Sequence, residues 1–445
     1  MKKAAFHNLG CKVNAYEVEV MQQKMEEDGY EIVPFAPGAD IYIINTCTVT
    51  NIADRKSRQM LHRAKSMNPD AVVVAVGCYV QTGREDLETD ACIDLAIGNN
   101  KKKEIASILK EYLERRDGEK ERDKTLQGTT ILDINRRDQE YEEMTLSRTG
   151  SHTRAYVKIQ DGCNQFCSYC IIPYARGRVR SRRQEDILKE VKGLVDSGYR
   201  EVVITGIHLS SYGVDFAPGK GELIEVLERL NEVRGLRRIR LGSLEPGIIT
   251  ESFADRMGAL DKLCPHFHLS LQSGCNATLK RMNRRYTTEE FRDKTVLLRS
   301  RFDHPAITTD VIVGFPGETE EEFAVTKAFL EEMEFYEMHI FKYSRRQGTP
   351  AAERKDQIPD SVKSERSNVL LRLTEEQSRR YRRGLLGQTL EMLVEERKEI
   401  GGKQYQIGVT PSYVKAAAEL SGDMTNRFVT GRAEEILENE YLLLR

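Results

Sequence analysis

The 445-residue chain reads as an α/β protein in three parts: an N-terminal parallel α/β domain, a partial barrel of six β/α units, and a small antiparallel β-barrel at the C-terminus. Three observations predict this. Short apolar runs alternate with helix-period segments over residues 1–115. The same alternation resumes from about 150 to 350. The last 60 residues break instead into short alternating runs separated by turn residues.

In the first part, "AAFHNLG", "IYIIN", "VVVAVG" and "LAIG" are the strand candidates, with helices over 15–28, 51–67 and 101–115. Asn14 stands three residues before Glu17, a capping-box-like spacing at the start of the helix over 15–28, so capping competes with catalysis as its role. Residues 116–145 are charged and weakly periodic, as a linker is. The second part, 146–375, offers strands at "AYVKIQ", "EVVITG", "RRIRLGS", "FHLSLQSG", "TTDVIVGF" and "YEMHIFKYS". Helical patterns at 183–197, 222–232, 288–300 and 319–333 lie between most of them. Six units in some 200 residues fall short of the roughly 250 of a full eight-unit barrel, so an open barrel is expected. A helix over 360–384, with Asp360 after Pro359 as N-cap, leads into the third part, 376–445. Its segments "TLEMLVEE", "KQYQIGVT", "YVKAAAEL", "RFVTGRA" and "YLLLR" suit a barrel of the size that binds single-stranded nucleic acid, or a packing module.

Composition excludes some classes. With 68 basic and 70 acidic residues the net charge is -2, so any attraction to a polyanion must come from local patches. No window approaches the roughly 18 apolar residues of a membrane span, and "MKKAAFHNLG" lacks the apolar core of a signal peptide; a cytoplasmic protein without membrane contact is expected. Nine cysteines in a reducing compartment point to metal ligation or catalysis rather than disulfides. Cys92, Cys264 and Cys275 sit in no recognisable spacing and read as small buried hydrophobes.

The other six form two sets. Cys11, Cys47 and Cys78 each follow a predicted strand. The C-terminal ends of parallel strands share one edge, where ligands bind, so these three thiols converge. Cys163, Cys167 and Cys170, in "DGCNQFCSYC", follow the first strand of the second part. Soft thiolates in threes suit iron–sulfur chemistry, and three ligands leave one iron of a four-iron cluster open. Zinc completed by His208 or His268 is the alternative. Basic runs at "RGRVRSRR" (Arg176, Arg178, Arg180, Arg182, Arg183), "RGLRRIR" and "RRYRR" read as phosphate contacts for RNA, or as solvated faces.

The Cys-x3-Cys-x2-Cys spacing with Tyr169 before the last cysteine resembles the signature of radical S-adenosylmethionine (SAM) enzymes. The order of the whole chain resembles the methylthiotransferase family. That resemblance implies two 4Fe-4S clusters and SAM. Cys163, Cys167 and Cys170 would hold the cluster that chelates SAM, and Cys11, Cys47 and Cys78 an auxiliary cluster that carries or activates sulfur. Tyr169 would lie beside the cofactor, Thr205 and Gly206 at its methionine amino group, and Glu245 at the ribose hydroxyls. Ile312, Val313 and Gly314 would lie on adenine, with Gln272 and Ser273 facing the cavity between the clusters. The C-terminal barrel would be a TRAM domain binding the tRNA anticodon loop. A low-potential electron donor such as flavodoxin or ferredoxin, and a sulfur donor, would complete the partners. Gly10-Cys11-Lys12-Val13-Asn14 resembles the branch that acts on N6-threonylcarbamoyladenosine at tRNA position 37, with Lys12, Arg176, Arg178 and Arg180 expected to meet the substrate. The alternatives are isopentenyladenosine tRNA, a ribosomal-protein side chain, or a non-enzymatic iron–sulfur RNA-binding protein.

Overall fold

The computed structural model describes the chain except residues 84–86, 88, 119–127, 132, 137–138, 149–152 and 218–221. The N-terminal part is a parallel six-stranded sheet in the order β2-β1-β3-β4-β5-β6. Its strands are β1 (Lys3–Asn8), β2 (Glu31–Val33), β3 (Ile41–Thr46), β4 (Val72–Gly77), β5 (Leu95–Ile97) and β6 (Gly128–Thr130). β3 and β4 are buried along their whole length, which is why they read as unbroken apolar runs rather than alternating ones. Helices Lys12–Glu27, Asn51–Met67 and Ile105–Gly118 belong to this part.

Two expectations change here. Much of the predicted linker is structured: β6 pairs with β5, Ile134, Glu142 and Met144 are buried, and Tyr141 donates its hydroxyl to the Lys158 carbonyl. Residues 119–127, 132 and 137–138 of that linker lie outside the described residues. The first helix starts at Lys12 with Cys11 as N-cap, so Asn14 and Glu17 form no capping box. Asn14 lies inside the helix and donates to the Leu9 carbonyl at 2.7 Å and the Thr46 carbonyl at 3.1 Å. Both side chains are buried and find stronger partners there than a helix end offers.

In the second part, β7 (Ala155–Asp161), β9 (Glu201–Gly206) and β10 (Arg238–Leu241) run parallel, with the short β8 (Arg180–Ser181) antiparallel on the edge of β7. β11 (His266–His268), β12 (Ala306–Val313) and β13 (Glu337–Lys342) form a second parallel run. Isolated bridges Ile239–Leu263 and Leu244–Leu269 connect the two. β11 is shorter than the predicted "FHLSLQSG" strand because the chain bulges after Leu269. Gln272 then returns to β12 in a left-handed conformation (φ +70°), donating to the Asp310 carbonyl at 2.8 Å. Val157, Ile159, Val202, Ile204, Ile239, Leu241, Phe267, Val311 and Val313 share the main core. The alternate residues Lys158, Gln160, Arg240, His266, His268, Asp310 and Ile312 face inward. The barrel is open, and the helix Lys12–Glu27 packs against β7 and β9.

Helix Asp360–Gly384 runs against β13 and crosses position 376 without a break, so the third part begins after Gly384. Its N-cap is Pro359, with Asp360 the first helical residue. The closed barrel that follows has the order β14-β15-β16-β18-β17: β14 (Thr389–Ile400), β15 (Lys403–Val409), β16 (Lys415–Ala418), β17 (Phe428–Leu437) and β18 (Tyr441–Leu444). Arg238 and Arg240, from "RGLRRIR", are buried where this barrel docks. Arg238 donates to the Glu391 carboxylate at 2.9 Å and the Val409 carbonyl at 3.1 Å, and its guanidinium lies 4.7 Å from the Phe428 ring centre. Arg240 reaches Glu201 at 2.8 Å and the Pro411 carbonyl at 2.8 Å. These two arginines bind protein, not RNA.

Arg238→Ala is expected to weaken docking of the C-terminal barrel by about 3 kcal/mol, because it leaves buried carboxylate and carbonyl groups without their cation. Calorimetry should then resolve an early transition, and proteases should cut the Leu385–Gln388 connection faster. A single unshifted transition would contradict this role.

Candidate active site

The first cysteine set forms at the C-terminal edge of β1, β3 and β4. Gly10 (φ +108°) turns the chain into Cys11, and a Cβ there would meet Cys47 Sγ at 3.1 Å, so only glycine lets the two loops approach. Gly77 (φ +99°) does the same before Cys78, where a Cβ would meet Asn45 Oδ1 at 2.6 Å. Burial pushes the Cys47 thiol up to about 11, and Cys78 and Cys11 each add to the shift, so the three groups lie within electrostatic reach of one another. Cys11 keeps an exposed surface, yet it opens into a recess whose walls desolvate it, and its thiol is raised as well. Arg176 Nε donates to Cys78 Sγ at 3.2 Å, and Asn99 Nδ2 approaches the same sulfur at 3.6 Å.

The second set follows β7. Gly162 (φ +72°) closes the loop where a Cβ would run into the Arg178 carbonyl at 1.8 Å, and Cys163 N–H is held by the Gly177 carbonyl at 3.0 Å. Gln165 N–H points at Cys163 Sγ (3.5 Å) and Arg284 Nη1 at Cys167 Sγ (3.2 Å). Burial pushes Cys163 up to about 11 and Cys170 up to about 12. Thiols raised in this way need a metal's positive charge to ionise, and N–H groups aimed at sulfur are the contacts that tune iron–sulfur clusters. Both triads fit such a group. The zinc alternative loses its fourth ligands: His208 bonds Ser211 Oγ and Glu245, and His268 bonds Thr308 Oγ1 and Asp310, all oxygen partners.

Between the triads lies a buried charge network. Arg176 Nη1 donates to Glu17 at 2.7 Å and to Asp161 at 3.2 Å, and its Nη2 to Asn14 at 2.6 Å. Lys158 reaches Glu17 at 2.7 Å and Asp161 at 2.6 Å, and Lys102 also pairs with Glu17. Burial opposes ionisation of Glu17, but Arg176, Lys102 and Lys158 outweigh it and hold the carboxyl well below its ordinary value. Asp161 is held low by Lys158 and Arg176 against the same burial. The expected RNA face of "RGRVRSRR" is therefore corrected. Arg176, Arg180 and Arg182 are buried; Arg176 is consumed by these carboxylates, Arg180 lies beside Asp161, and Arg182 pairs with Glu190. Arg178 and Arg183 are exposed, the former over the Phe166 ring at 4.6 Å.

The expected cofactor contacts scatter over the barrel rim. Glu245 follows β10 and is gripped by His208 at 3.0 Å and Arg284 at 2.7 Å, so Arg284 links it to Cys167. Neither Arg284 nor His208 in this pairing was foreseen, since nothing local in sequence signals a partner some 40 residues away. Thr205 and Gly206 end β9, and a Cβ on Gly206 would meet Gln160 Oε1 at 2.9 Å. Tyr169 sits edge-on to Phe315 at 6.4 Å, beside Ile312. Gly314 takes φ +68° and donates its N–H to Glu318 at 2.7 Å. The Val313 side chain points into the outer core, opposite Ile312, which leaves only its backbone for the expected contact; Ser273 does not face a cavity but is fully buried, its hydroxyl 3.3 Å from Thr326 Oγ1. Gln272 stays at the rim.

Comparison with known proteins gives the following. Residues 157–330 match the model of the radical SAM superfamily, and residues 3–98 that of an uncharacterized protein family, UPF0004. The chain is 41% identical to a threonylcarbamoyladenosine tRNA methylthiotransferase MtaB from Bacillus subtilis (strain 168), over 96% of this chain and 93% of that one. It is 36% identical to a tRNA-2-methylthio-N(6)-dimethylallyladenosine synthase from Clostridium botulinum (strain Okra / Type B1), over 87% and 84%. Its fold resembles that of the radical SAM methyltransferase TsrM from Kitasatospora setae, solved with cobalamin and a 4Fe-4S cluster, with a TM-score of 0.54, 16% identity, and 79% and 77% of the two chains covered.

Arg176→Met should cost the metal-free protein about 3–5 kcal/mol in denaturant unfolding, because Glu17 and Asp161 lose their bridging cation. Glu17 has a folded pKa below its unfolded one, so its contribution is present above the ordinary carboxylate range of about 4–5 and is lost as pH falls below it. Acid titration should show wild-type stability falling below about pH 5. The fall should be smaller in Glu17→Gln, which lacks this term from the start; parallel curves would refute the network's charge balance.

Proposed function

The chain belongs to the radical SAM methylthiotransferase family, and we propose that it methylthiolates C2 of N6-threonylcarbamoyladenosine at position 37 of tRNA, giving the 2-methylthio derivative. As a radical SAM enzyme it uses SAM and a 4Fe-4S cluster, for which Cys163, Cys167 and Cys170 are the ligands in this reading. Cys11, Cys47 and Cys78 would hold a second 4Fe-4S cluster. The observation that carries the proposal is that Arg176, at the end of the helix that follows the second triad's loop, holds the Cys78 sulfur of the first triad.

When bound, these groups supply the radical and the sulfur chemistry. The chain's own residues do the rest. Arg284 and Gln165 direct N–H groups at the Cys167 and Cys163 sulfurs, and His208 and Arg284 fix the Glu245 carboxylate, which would meet the ribose hydroxyls. Ile312 offers an apolar inner face to adenine, while Thr205 and Gly206 form the turn for the methionine end. The helix Lys12–Glu27, packed against β7 and β9, would help keep water from the site. The C-terminal barrel binds the tRNA, with Arg178 and Arg183 the exposed cations of the 176–183 run. A low-potential electron donor of the flavodoxin or ferredoxin class and a sulfur donor complete the reaction, in the cytoplasm with the tRNA.

The dimethylallyl substrate named for the Clostridium relative is the second reading, and identity and coverage both favour the first. Reduced enzyme and SAM should be offered tRNAs carrying either modification, with nucleosides read by mass spectrometry. Methylthiolation of the threonylcarbamoyl form is expected; product only from the dimethylallyl form would reverse the choice.

Iron and sulfide assays should find about eight irons per wild-type chain and about four when Cys11, Cys47 and Cys78 are all Ala. That variant should still cleave SAM to 5′-deoxyadenosine. A wild type saturating at four irons would remove the second cluster.

A further inference from the structure

At Lys12, the residue after Cys11, three distant parts of the chain meet. Lys12 comes from the first helix, Arg154 and Arg240 from the first and third parallel strands of the barrel or their flanks, and His266 from the start of β11. The fourth contribution is Tyr413, from the turn between β15 and β16 of the C-terminal barrel, in a left-handed conformation (φ +65°). The Tyr413 ring stacks on His266 at 4.9 Å. The Arg240 and Arg154 guanidinium groups lie 4.9 Å and 5.1 Å from its centre, and Lys12 Nζ lies 6.0 Å away.

The partners of these groups are uneven. Arg154 has Glu395 at 2.7 Å, and Arg240 has Glu201 at 2.8 Å. Lys12 has no ion-pair partner among the described residues. His266 is buried, with Nε2 3.3 Å from Thr308 Oγ1, and its Nδ1 is buried with no hydrogen-bond partner. Further along the inner face, the Asp310 carboxylate is held by His268 at 3.2 Å. Lys12, Arg154 and Tyr413 are only partly buried, whereas Arg240 and His266 are buried beneath them. Lys12, Arg154 and Arg240 thus have two carboxylates between them, one of which Arg238 also uses, and the Lys12 ammonium and one imidazole nitrogen are left over.

We propose that this cluster is the receptor for the carboxylate of the threonylcarbamoyl group, with Lys12 its ion-pair partner and the Tyr413 hydroxyl and His266 Nδ1 its hydrogen-bond partners. The inference rests on the substrate reading above and deepens it. A carboxylate brings the missing negative charge to a partly desolvated ammonium, while an apolar dimethylallyl group would leave that ammonium and the buried imidazole unpaired, which is how such pockets discriminate strongly. The specificity-determining residues would then come from all three parts of the chain. Tyr413 would make the C-terminal barrel a wall of the base pocket as well as an RNA-binding surface.

The test uses iron-loaded enzyme and anticodon stem-loops with three forms of the base: threonylcarbamoyl acid, its methyl ester and dimethylallyl. Affinity is read by fluorescence anisotropy without reductant, and methylthiolation by mass spectrometry. Wild type should bind the acid at least about tenfold more tightly than the ester, the size expected of a hydrogen-bonded charge pair. Lys12→Met should bind acid and ester alike, with ester affinity and iron content unchanged, and Lys12→Arg should restore the preference. If Lys12→Met loses iron, Tyr413→Phe, remote from the cysteines in sequence, should still lower the acid-to-ester ratio. Equal binding of acid and ester by a wild type that methylthiolates the acid form would overturn the receptor and leave the substrate reading standing. Methylthiolation of the dimethylallyl form alone would overturn the substrate reading itself.

Discussion

Arg176 makes the contact on which the rest of the site depends. It ends the short helix that follows the second cysteine loop, Ile172–Arg176, and reaches across to Cys78, Glu17 and Asn14 of the N-terminal part. The network around it holds Arg176, Lys158 and Lys102, with Arg180 3.7 Å from Asp161, against the carboxylates Glu17 and Asp161 and the buried Glu142 within electrostatic reach of both lysines. Positive charge is in excess, and the sulfur of Cys78 is the nearest group that can answer it. A buried network of this kind is strong only when every member is satisfied. Ionising the cysteines by metal binding would therefore complete the balance, tying assembly of one triad to the docking of the part that carries the other.

The strand topology explains why both triads reach this place. Parallel strands deliver their C-terminal ends to one edge, and each cysteine of the first set follows such an end by one to three residues. Glycines with positive φ at 10, 77 and 162 allow turns too tight for a side chain. The same rule operates twice, once in a sheet and once in an open barrel.

The cysteine positions, the parallel strands and the C-terminal barrel were legible because each leaves a local pattern: an apolar run, a turn residue, a fixed spacing. The fate of the arginines was not. A basic run looks the same whether it is solvated or buried, and the deciding partner of Arg176 is Glu17, 159 positions earlier. Asn14 and Glu17 matched a capping box by spacing, but tertiary partners at the interface overrode it. Arg284 and His208 carry no local signal at all. Alternation assigns the inner face to Ile312 and leaves Val313 only its backbone there, since strand neighbours face opposite ways. Ser273 lies beyond a bulge, where that alternation no longer applies.

An open barrel has two free edges, and the N-terminal part is fastened to both. On the β7 side, the helix Lys12–Glu27 and Arg176 make the attachment. Past β13, Arg346 donates to Asp54 at 2.6 Å, Asn51 at 2.7 Å and Thr48 at 2.8 Å, while Asn51 returns a bond to the Arg345 carbonyl at 3.0 Å. Thr48 is the residue after Cys47, so the segment after the last strand holds the loop of Cys47 as the helix after the second triad's loop holds Cys78. The strands that a full barrel would use to close are replaced by a domain carrying ligands. The Tyr413 turn of the C-terminal barrel lies against the inner face, on His266 and Arg240. Covalent strands would close the barrel along its whole length; docked domains hold the two sides through a few side chains at each end.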